Sequence, residues 1–402
     1  MNKSEITGSF DVAVVGGGPS GRIAALALAK LGLSTVLVAP TSPQSDGRTT
    51  ALWQQSIELL RDLGIWDRIE ASATSLRKMR MIDDTGRLIR APEVVFDSAE
   101  LGLEEFGFNI LNSELNVALQ ELCDELPGLT VVEDTVASAE LLEQETELRT
   151  QGDQKLSVRL VVAADGRNSL LRETAGIPVR RWSYPQNAVV LNLEHSLPHQ
   201  HVSTEFHTPT GPFTLVPLPG RQSSLVCVET AEGADALIAL SDDELERELE
   251  RRAHSILGRF KLATRPQCFP LSGLAAERLI GHRLALIGET AHVFPPIGAQ
   301  GLNLSLRDII DLTTTLGGPV RKGLDFGEDA VLKAYENKRL RDIRSRTNAV
   351  DVLNRSLLTG FLPVQIARSL SMYLAGKLGP VRRFLMHEGM TPGSGFRPKN
   401  RP

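Results

Sequence analysis

Residues 11–40 restrict the fold more than any other stretch of this chain. An apolar run at residues 12–15 leads into Gly16-Gly17-Gly18-Pro19-Ser20-Gly21, and small or apolar residues follow at helical spacing: Ile23, Ala24, Ala27, Leu28 and Leu31. Gly32 closes that stretch, and Val36-Leu37-Val38 reads as a second strand. Strand, glycine turn, helix and strand at this length make a βαβ unit. The glycines have separate tasks. Gly16 permits the tight turn, Gly18 lets the backbone approach a pyrophosphate, and Gly21 lets the helix pack closely. The helix that opens at Pro19 and Ser20 points its free N–H groups and positive dipole end at the same place. The unit predicts a dinucleotide site.

Composition narrows the remaining choices. Hydrophobic residues at 42% and charged residues at 23% belong to an ordinary globular protein, and 402 residues suffice for two domains. A net charge of −5 argues against general nucleic-acid affinity. No run of about 18 apolar residues exists, so no membrane-spanning segment is expected, and residues 1–10 carry no apolar signal core. Cys123, Cys227 and Cys268 are far apart and odd in number, which indicates neither a disulfide framework nor a zinc site. Buried free thiols in a reducing cytoplasm are the expectation.

Further along, residues 51–63 read as a helix ending at Gly64, and residues 79–82, Asp84-Thr85-Gly86 and residues 88–89 read as a hairpin. Residues 111–122 have helical spacing, with Asn112 or Ser113 as the cap. Residues 160–164 form an apolar strand candidate, residues 188–230 alternate like antiparallel strands, and residues 242–256 form a charged helix. Residues 284–287 read as another buried strand, and residues 302–316 and 330–358 as helices. The βα segments are thus interrupted by strand-rich insertions. A nucleotide domain built from discontinuous pieces, with a β-rich domain inserted, is the expected plan.

Two more segments carry chemistry. Ala164-Asp165-Gly166-Arg167-Asn168-Ser169 places a carboxylate at a strand end beside a flexible glycine, with Arg167 and Arg172 available for phosphates; alone, Asp-Gly is also an ordinary turn. Gly288-Glu289-Thr290-Ala291-His292 follows a strand and runs into Pro295-Pro296-Ile297-Gly298-Ala299-Gln300-Gly301-Leu302-Asn303. Glu289 suits sugar-like hydroxyls, the Pro/Gly loop brings backbone close to a flat ligand, and the helix near Gly301 aims its positive end at negative charge on that ligand.

These three segments, in this order, resemble the FAD-dependent aromatic hydroxylases of the para-hydroxybenzoate hydroxylase class. The resemblance covers nearly the whole chain and is nearest to the ubiquinone-biosynthesis hydroxylases. That narrower likeness rests on Asp46-Gly47-Arg48, Leu63-Gly64-Ile65-Trp66, residues 107–112, Trp182-Ser183-Tyr184-Pro185-Gln186, residues 288–303 with Arg307-Asp308, and residues 379–386. It implies an α/β fold with a Rossmann-like FAD-binding domain in three pieces (1–75, 107–180 and 276–360). It also implies an inserted antiparallel β-sheet substrate domain (76–106 and 181–275) and a helical tail (361–402). It assigns FAD contacts to Gly16, Gly18, Pro19, Ser20, Gly21, Arg48, Asp165, Gly166, Gly288, Glu289, Gly298, Gly301, Leu302 and Asn303. With one glycine fingerprint, NAD(P)H is expected in a transient groove. The same resemblance implies that NAD(P)H would reduce the flavin, that O2 would add to give a flavin hydroperoxide, and that one oxygen would pass to a prenylated phenol on the way to ubiquinone.

The chain departs from the family pattern twice. Ala39 stands where an acid ordinarily meets the adenosine ribose, so Thr41 or Ser42 substitutes or the grip loosens. Glu289 stands where Asp is usual and keeps the carboxylate one methylene further out. No catalytic residue is assigned; the candidates are Pro295 and His292, the latter read chiefly as structural or capping. His195, His199, His201 and His207 fit no metal-ligand spacing and read as a surface loop, so no metal is expected. From residue 361 onward seven basic residues, Arg382 and Arg383 among them, face one acid and alternate with apolar side chains. Such a tail lies on an anionic membrane surface on its inner face, packs on the flavin domain, or does both. A ubiquinone-biosynthesis complex is the implied partner. A soluble-phenol hydroxylase and a non-oxygenating flavoprotein are the competing classes. A flavin halogenase is disfavoured because the tryptophans are only Trp53, Trp66 and Trp182, with no Trp-x-Trp pair.

Overall fold

The computed structural model describes residues 8–40, 47–86, 90–295 and 300–358, together with Gly379, Arg382, Arg383 and Met386. Its first sheet grows from the glycine fingerprint. Strand Gly8–Val15 lies in parallel between Thr35–Val38 and Lys155–Ala163. Leu129–Val132 extends the sheet past Thr35–Val38, and Leu284–Leu286 extends it past Lys155–Ala163, again in parallel. Val12, Ala13, Val14, Leu160, Val161, Val162 and Leu286 are fully buried. Helices Pro19–Lys30, Asn112–Glu125 and Gln300–Arg321 pack together in this layer, which is why its strands read as unbroken apolar runs.

Strand order runs outward from Gly8–Val15 in one direction through Thr35–Val38 and in the other through Lys155–Ala163. The order therefore reverses at that central pair. A reversal of this kind opens a crevice at the carboxyl ends of the strands, where ligands of open α/β sheets bind.

The second sheet has nine strands drawn mainly from residues 78–97 and 179–276. Every pairing in it is antiparallel among the described residues except that of Val202–His207 with Lys78–Asp83. Its own core, Val189, Leu191, Leu193, Phe206, Phe213 and Leu225, is shared with Leu237, Leu245 and Leu249 of the helices Ala231–Ile238 and Asp242–Arg252. A small three-stranded sheet, Thr49–Trp53, Gly107–Leu111 and Thr74–Leu76, touches both larger layers. The α/β plan with an antiparallel second sheet and C-terminal helices is thus present.

Several local expectations change. Residues 49–53 are a strand, and the helix starts only at Gln54, because residues 49–53 pair with Gly107–Leu111 and the Trp53 N–H donates to Asn303 Oδ1 at 2.9 Å. Lys78–Asp83 returns to Val94–Asp97, further on than the expected hairpin, and Leu88 and Ile89 lie outside the described residues. Helix Asn112–Glu125 has no side-chain cap: Asn112 Oδ1 accepts instead from the Thr50 hydroxyl of the neighbouring strand, at 2.5 Å. The charged helix stops at Arg252, where the chain turns through left-handed His254 and Ser255.

The histidine group is also corrected. His195, His199 and His207 are buried, not on a surface loop. Their ring nitrogens bond to Leu197 O, Ser223 Oγ, Leu218 O and Glu205 Oε1, and His201 Nδ1 meets Ser75 Oγ. No group of three or more candidate metal ligands occurs among the described residues. Burial pushes the Cys123 thiol up to about 11 and the Cys227 thiol up to about 12, so both stay protonated at neutral pH.

Candidate active site: a dinucleotide cradle at the strand ends

Three neighbouring strands of the first sheet end at Val15, Ala163 and Leu286, and each runs directly into one of the three sequence motifs. The glycines of the first motif divide their tasks as geometry requires. A Cβ on Gly16, at φ +130°, would sit 2.1 Å from the Ala164 carbonyl oxygen, so the fingerprint turn and the Asp-Gly segment touch. A Cβ on Gly21 would sit 2.0 Å from the Gly16 carbonyl oxygen, so the helix closes directly onto the turn. A Cβ on Gly18 would meet nothing within 4 Å. That is open space in front of a helix N-terminus with Pro19 in its first turn, no side-chain cap and no acid in that turn. The unused N–H groups and dipole there suit an anion, and a pyrophosphate fits the cradle.

The other motifs close around the same end. Thr290 Oγ1 accepts from the Gly166 N–H at 2.9 Å and donates to Asp165 Oδ1 at 3.2 Å. Asp165 Oδ2 accepts from the Leu171 N–H at 3.3 Å, so this carboxylate holds its own loop. Gly288, at φ +60°, has its Cβ position 3.2 Å from both Ser20 Oγ and Ser305 Oγ, which ties the third motif to the fingerprint helix and to Gln300–Arg321. Glu289 is exposed and pairs with Arg167 at 3.4 Å. Arg172 is buried and donates to Thr290 O at 2.9 Å and Arg167 O at 3.0 Å, so it is a scaffold group and not the phosphate ligand expected.

The Arg48 guanidinium lies 5.4 Å from the Phe269 ring of the second sheet. Asn303 is buried, with Oδ1 accepting from Trp53 N–H and from Ser56 Oγ at 2.7 Å and Nδ2 donating to Ala51 O at 2.7 Å. Its side chain thus locks the small sheet to the long helix. Gly301 and Leu302 open that helix, and a Cβ on Gly301 would meet nothing within 4 Å. Pro295 is buried beside this region, while Gly298, Thr41, Ser42 and Asp46 lie outside the described residues. The Ala39 side chain packs 3.0 Å from the Cβ position of Gly17, against the fingerprint turn.

Below the third motif is a group that sequence reasoning met only as part of a family segment. Asp308 is fully buried, and its Oδ2 accepts from His292 Nε2 at 2.7 Å and from the Gly288 N–H at 3.0 Å, while Oδ1 accepts from Arg339 Nε at 2.8 Å. Burial pushes the Asp308 carboxyl up, but the His292 imidazole and Arg339 guanidinium outweigh it and hold the group below the usual carboxylate range. His292 therefore braces the turn at Gly288. Tyr335 Oη adds a bond to Leu286 O at 2.8 Å.

A family model described as FAD binding domain matches residues 9–349. The chain is 34% identical over 396 residues to ubiquinone hydroxylase UbiL of Rhodospirillum rubrum, covering 96% of this chain and 91% of that protein. It belongs to the FAD-dependent monooxygenases of the para-hydroxybenzoate hydroxylase class. The monooxygenase is also 28% identical to 3-demethoxyubiquinol 3-hydroxylase of Escherichia coli, over 93% of this chain and 96% of that one. Among solved structures, p-nitrophenol 4-monooxygenase PnpA of Pseudomonas putida superposes with a TM-score of 0.77 at 21% identity, covering 94% and 97% of the two chains, which shows the shared fold. FAD is the dinucleotide that the cradle fits. No helix among the described residues is long and apolar enough to cross a membrane.

Proposed function

We propose that this monooxygenase hydroxylates the aromatic ring of a polyprenylated phenol in ubiquinone biosynthesis. The carrying observation is the full-length likeness to ubiquinone hydroxylase UbiL, at 34% identity over 96% of the chain. The balanced reaction is phenol plus O2 plus NAD(P)H and a proton giving hydroxylated phenol, NAD(P)+ and water. FAD held in the cradle would supply the electron transfer from nicotinamide and the oxygen chemistry.

In this reading residues 1–75, 107–180 and 276–360 hold FAD, and residues 76–106 and 181–275 cover the substrate. Gly16, Gly18, Pro19, Ser20 and Gly21 take the pyrophosphate. Asp165, Gly166, Gly288 and Glu289 face the sugar-like chain. Gly301, Leu302 and Asn303 bring backbone to the flavin ring, where the helix dipole favours negative charge. Arg48 supplies a cation. NAD(P)H docks transiently in a groove, because only one fingerprint is present.

The tail meets the body and also offers charge to a membrane. Met386 is buried with Trp53, Leu76 and Phe106. Arg382 pairs with Glu100, donates to Val95 O and stacks 4.9 Å from the Phe96 ring. Arg382 is thus an internal anchor and not the lipid contact expected of it. Arg383 is exposed and remains a candidate for anionic headgroups, each such residue contributing about 1 kcal/mol near the surface.

A strain lacking the gene should accumulate a quinone precursor short of one ring oxygen. Purified holoenzyme should consume O2 and NAD(P)H with a prenylated phenol and release the hydroxylated product. Nicotinamide oxidation without ring oxygenation would favour the non-oxygenating flavoprotein. Turnover confined to unprenylated phenols, with no sedimentation on anionic vesicles, would favour the soluble-phenol enzyme.

A further inference from the structure

Between the small sheet and the second sheet lies a buried polar group that the cofactor reading does not use. Asn109, on Gly107–Leu111, is 1% exposed, and Asn192, on Val179–His195, is 4% exposed. Each amide has its orientation set by a carbonyl that can only accept. Asn109 Nδ2 donates to Pro217 O at 3.0 Å, and Asn192 Nδ2 donates to Gly47 O at 2.8 Å, one residue before Arg48. That leaves both side-chain oxygens pointed elsewhere, and neither Oδ1 has a hydrogen-bond partner among the described residues.

The two asparagines are brought to one place by Ser224. Asn192 and Ser224 are directly opposite in the second sheet, so their side chains share a face. Ser224 Oγ lies 3.5 Å from Asn109 Nδ2 and accepts from the Thr49 hydroxyl at 2.9 Å. Thr49, Ala51 and Trp53 alternate along one face of the small sheet, and Asn109 stands opposite Ala51. Trp53 is 7% exposed, and its indole N–H also lacks an acceptor among the described residues. Native interiors rarely keep polar atoms unpaired, because a buried acceptor without a donor is destabilising.

The place is next to the reaction. Ala51 O and Trp53 N–H are both bonded to Asn303, in the first turn of the helix assigned to the flavin ring. Two amide oxygens need a hydrogen to accept, and an indole N–H needs an oxygen to meet. A ring hydroxyl provides both, since its single O–H hydrogen donates to the two amide oxygens as a shared, three-centre bond and its oxygen accepts. A ring carboxylate has no hydrogen to give and would face two acceptors.

We propose that the side-chain oxygens of Asn109 and Asn192 are substrate-binding acceptors that hold the hydroxyl of a neutral phenol, with Trp53 Nε1–H donating to an oxygen on the same ring. The inference rests on the hydroxylase reading and specifies which end of the ring it grips. It does not depend on the prenyl chain.

The test uses the FAD-loaded full chain and follows the flavin absorption spectrum during titration with a short-chain alkyl phenol and with its O-methyl ether. The phenol should bind about tenfold or more tightly than the ether, which keeps the ring oxygen but carries a methyl group in place of the O–H hydrogen. Asn109→Ala and Asn192→Ala should each bring the two affinities toward equality while FAD content stays at the wild-type level. Asn109→Ser and Asn192→Ser, which keep a small polar group but draw its oxygen back from the ring by the length of the amide, form a second pair should the alanine variants not fold. Equal affinity of phenol and ether in the wild type overturns the proposal, as does full discrimination retained by the variants. Holoenzyme that discriminates the short phenols yet ignores prenylated ones overturns the polyprenyl reading alone. Holoenzyme that turns over prenylated phenols without discrimination overturns the acceptor pair alone.

Discussion

Gly18 and Gly21 stand three residues apart in one turn, and the geometry separates their substitutions cleanly. Gly18 has φ −73° and ψ 171°, an ordinary extended conformation, and its Cβ would enter empty space. In Gly18→Ala, lower entropy of the unfolded chain stabilises by about 0.4–1 kcal/mol. Alanine as the residue before a helix is poorer than glycine by a similar amount. These offset, so the apoprotein should melt within about 1 °C of wild type. Gly21→Ala puts a methyl 2.0 Å from the Gly16 carbonyl oxygen, which is backbone and cannot rotate away. Overpacking of that kind costs about 1–3 kcal/mol, and this contact belongs at the upper end. Unfolding entropy of about 2.1 cal/mol/K per residue over 402 residues converts about 3 kcal/mol into a drop of roughly 4 °C. FAD affinity should respond differently. The methyl at residue 18 occupies the approach to the helix N–H groups, and one lost hydrogen bond to a charged phosphate is about 1.5–3 kcal/mol. That is roughly a 10- to 100-fold weaker Kd. Differential scanning calorimetry of the apoprotein and fluorescence titration with FAD read the two effects separately. An apo Gly18→Ala that melts as low as Gly21→Ala, or that binds FAD like wild type, would refute the cradle.

Two further outcomes test the site. Asp308→Ala removes a buried carboxylate and leaves Arg339 and His292 without it, so the protein should lose about 3–5 kcal/mol, roughly 4–6 °C in Tm. The folded pKa of Asp308 lies below its unfolded value near 3.9, so its contribution is present above about pH 4 and is lost as pH falls through the lower folded value. The wild-type advantage should therefore shrink only in acid, and a gap that stays constant down to acid unfolding contradicts the ion cluster. Glu289→Ala should weaken FAD binding while Glu289→Asp keeps most of it, because the exposed carboxylate beside Arg167 is the proposed group; equal affinity in wild type and Glu289→Ala removes Glu289 from the site.

The sequence by itself determined the fingerprint unit, the order of the three motifs and the α/β plan. That information is local. Glycine spacing and an apolar run specify a turn and its flanking strand and helix through contacts a few residues apart, as the close approach of Gly21 to Gly16 shows. The same local reading erred at residues 51–53, where helical spacing lost to pairing with residues 107–109, far away in the chain. It erred again at the histidines, whose polar spacing resembles a surface loop although tertiary packing buries His195, His199 and His207. Tertiary structure alone decided that Asp308 lies beneath Gly288, that Arg382 closes on Glu100, and that Asn109 and Asn192 meet at Ser224. Each of these is a contact between segments with no common period. Their chemistry arises from burial, which raises the stakes of every unpaired polar atom, and burial belongs to the packed chain and not to any one segment of it.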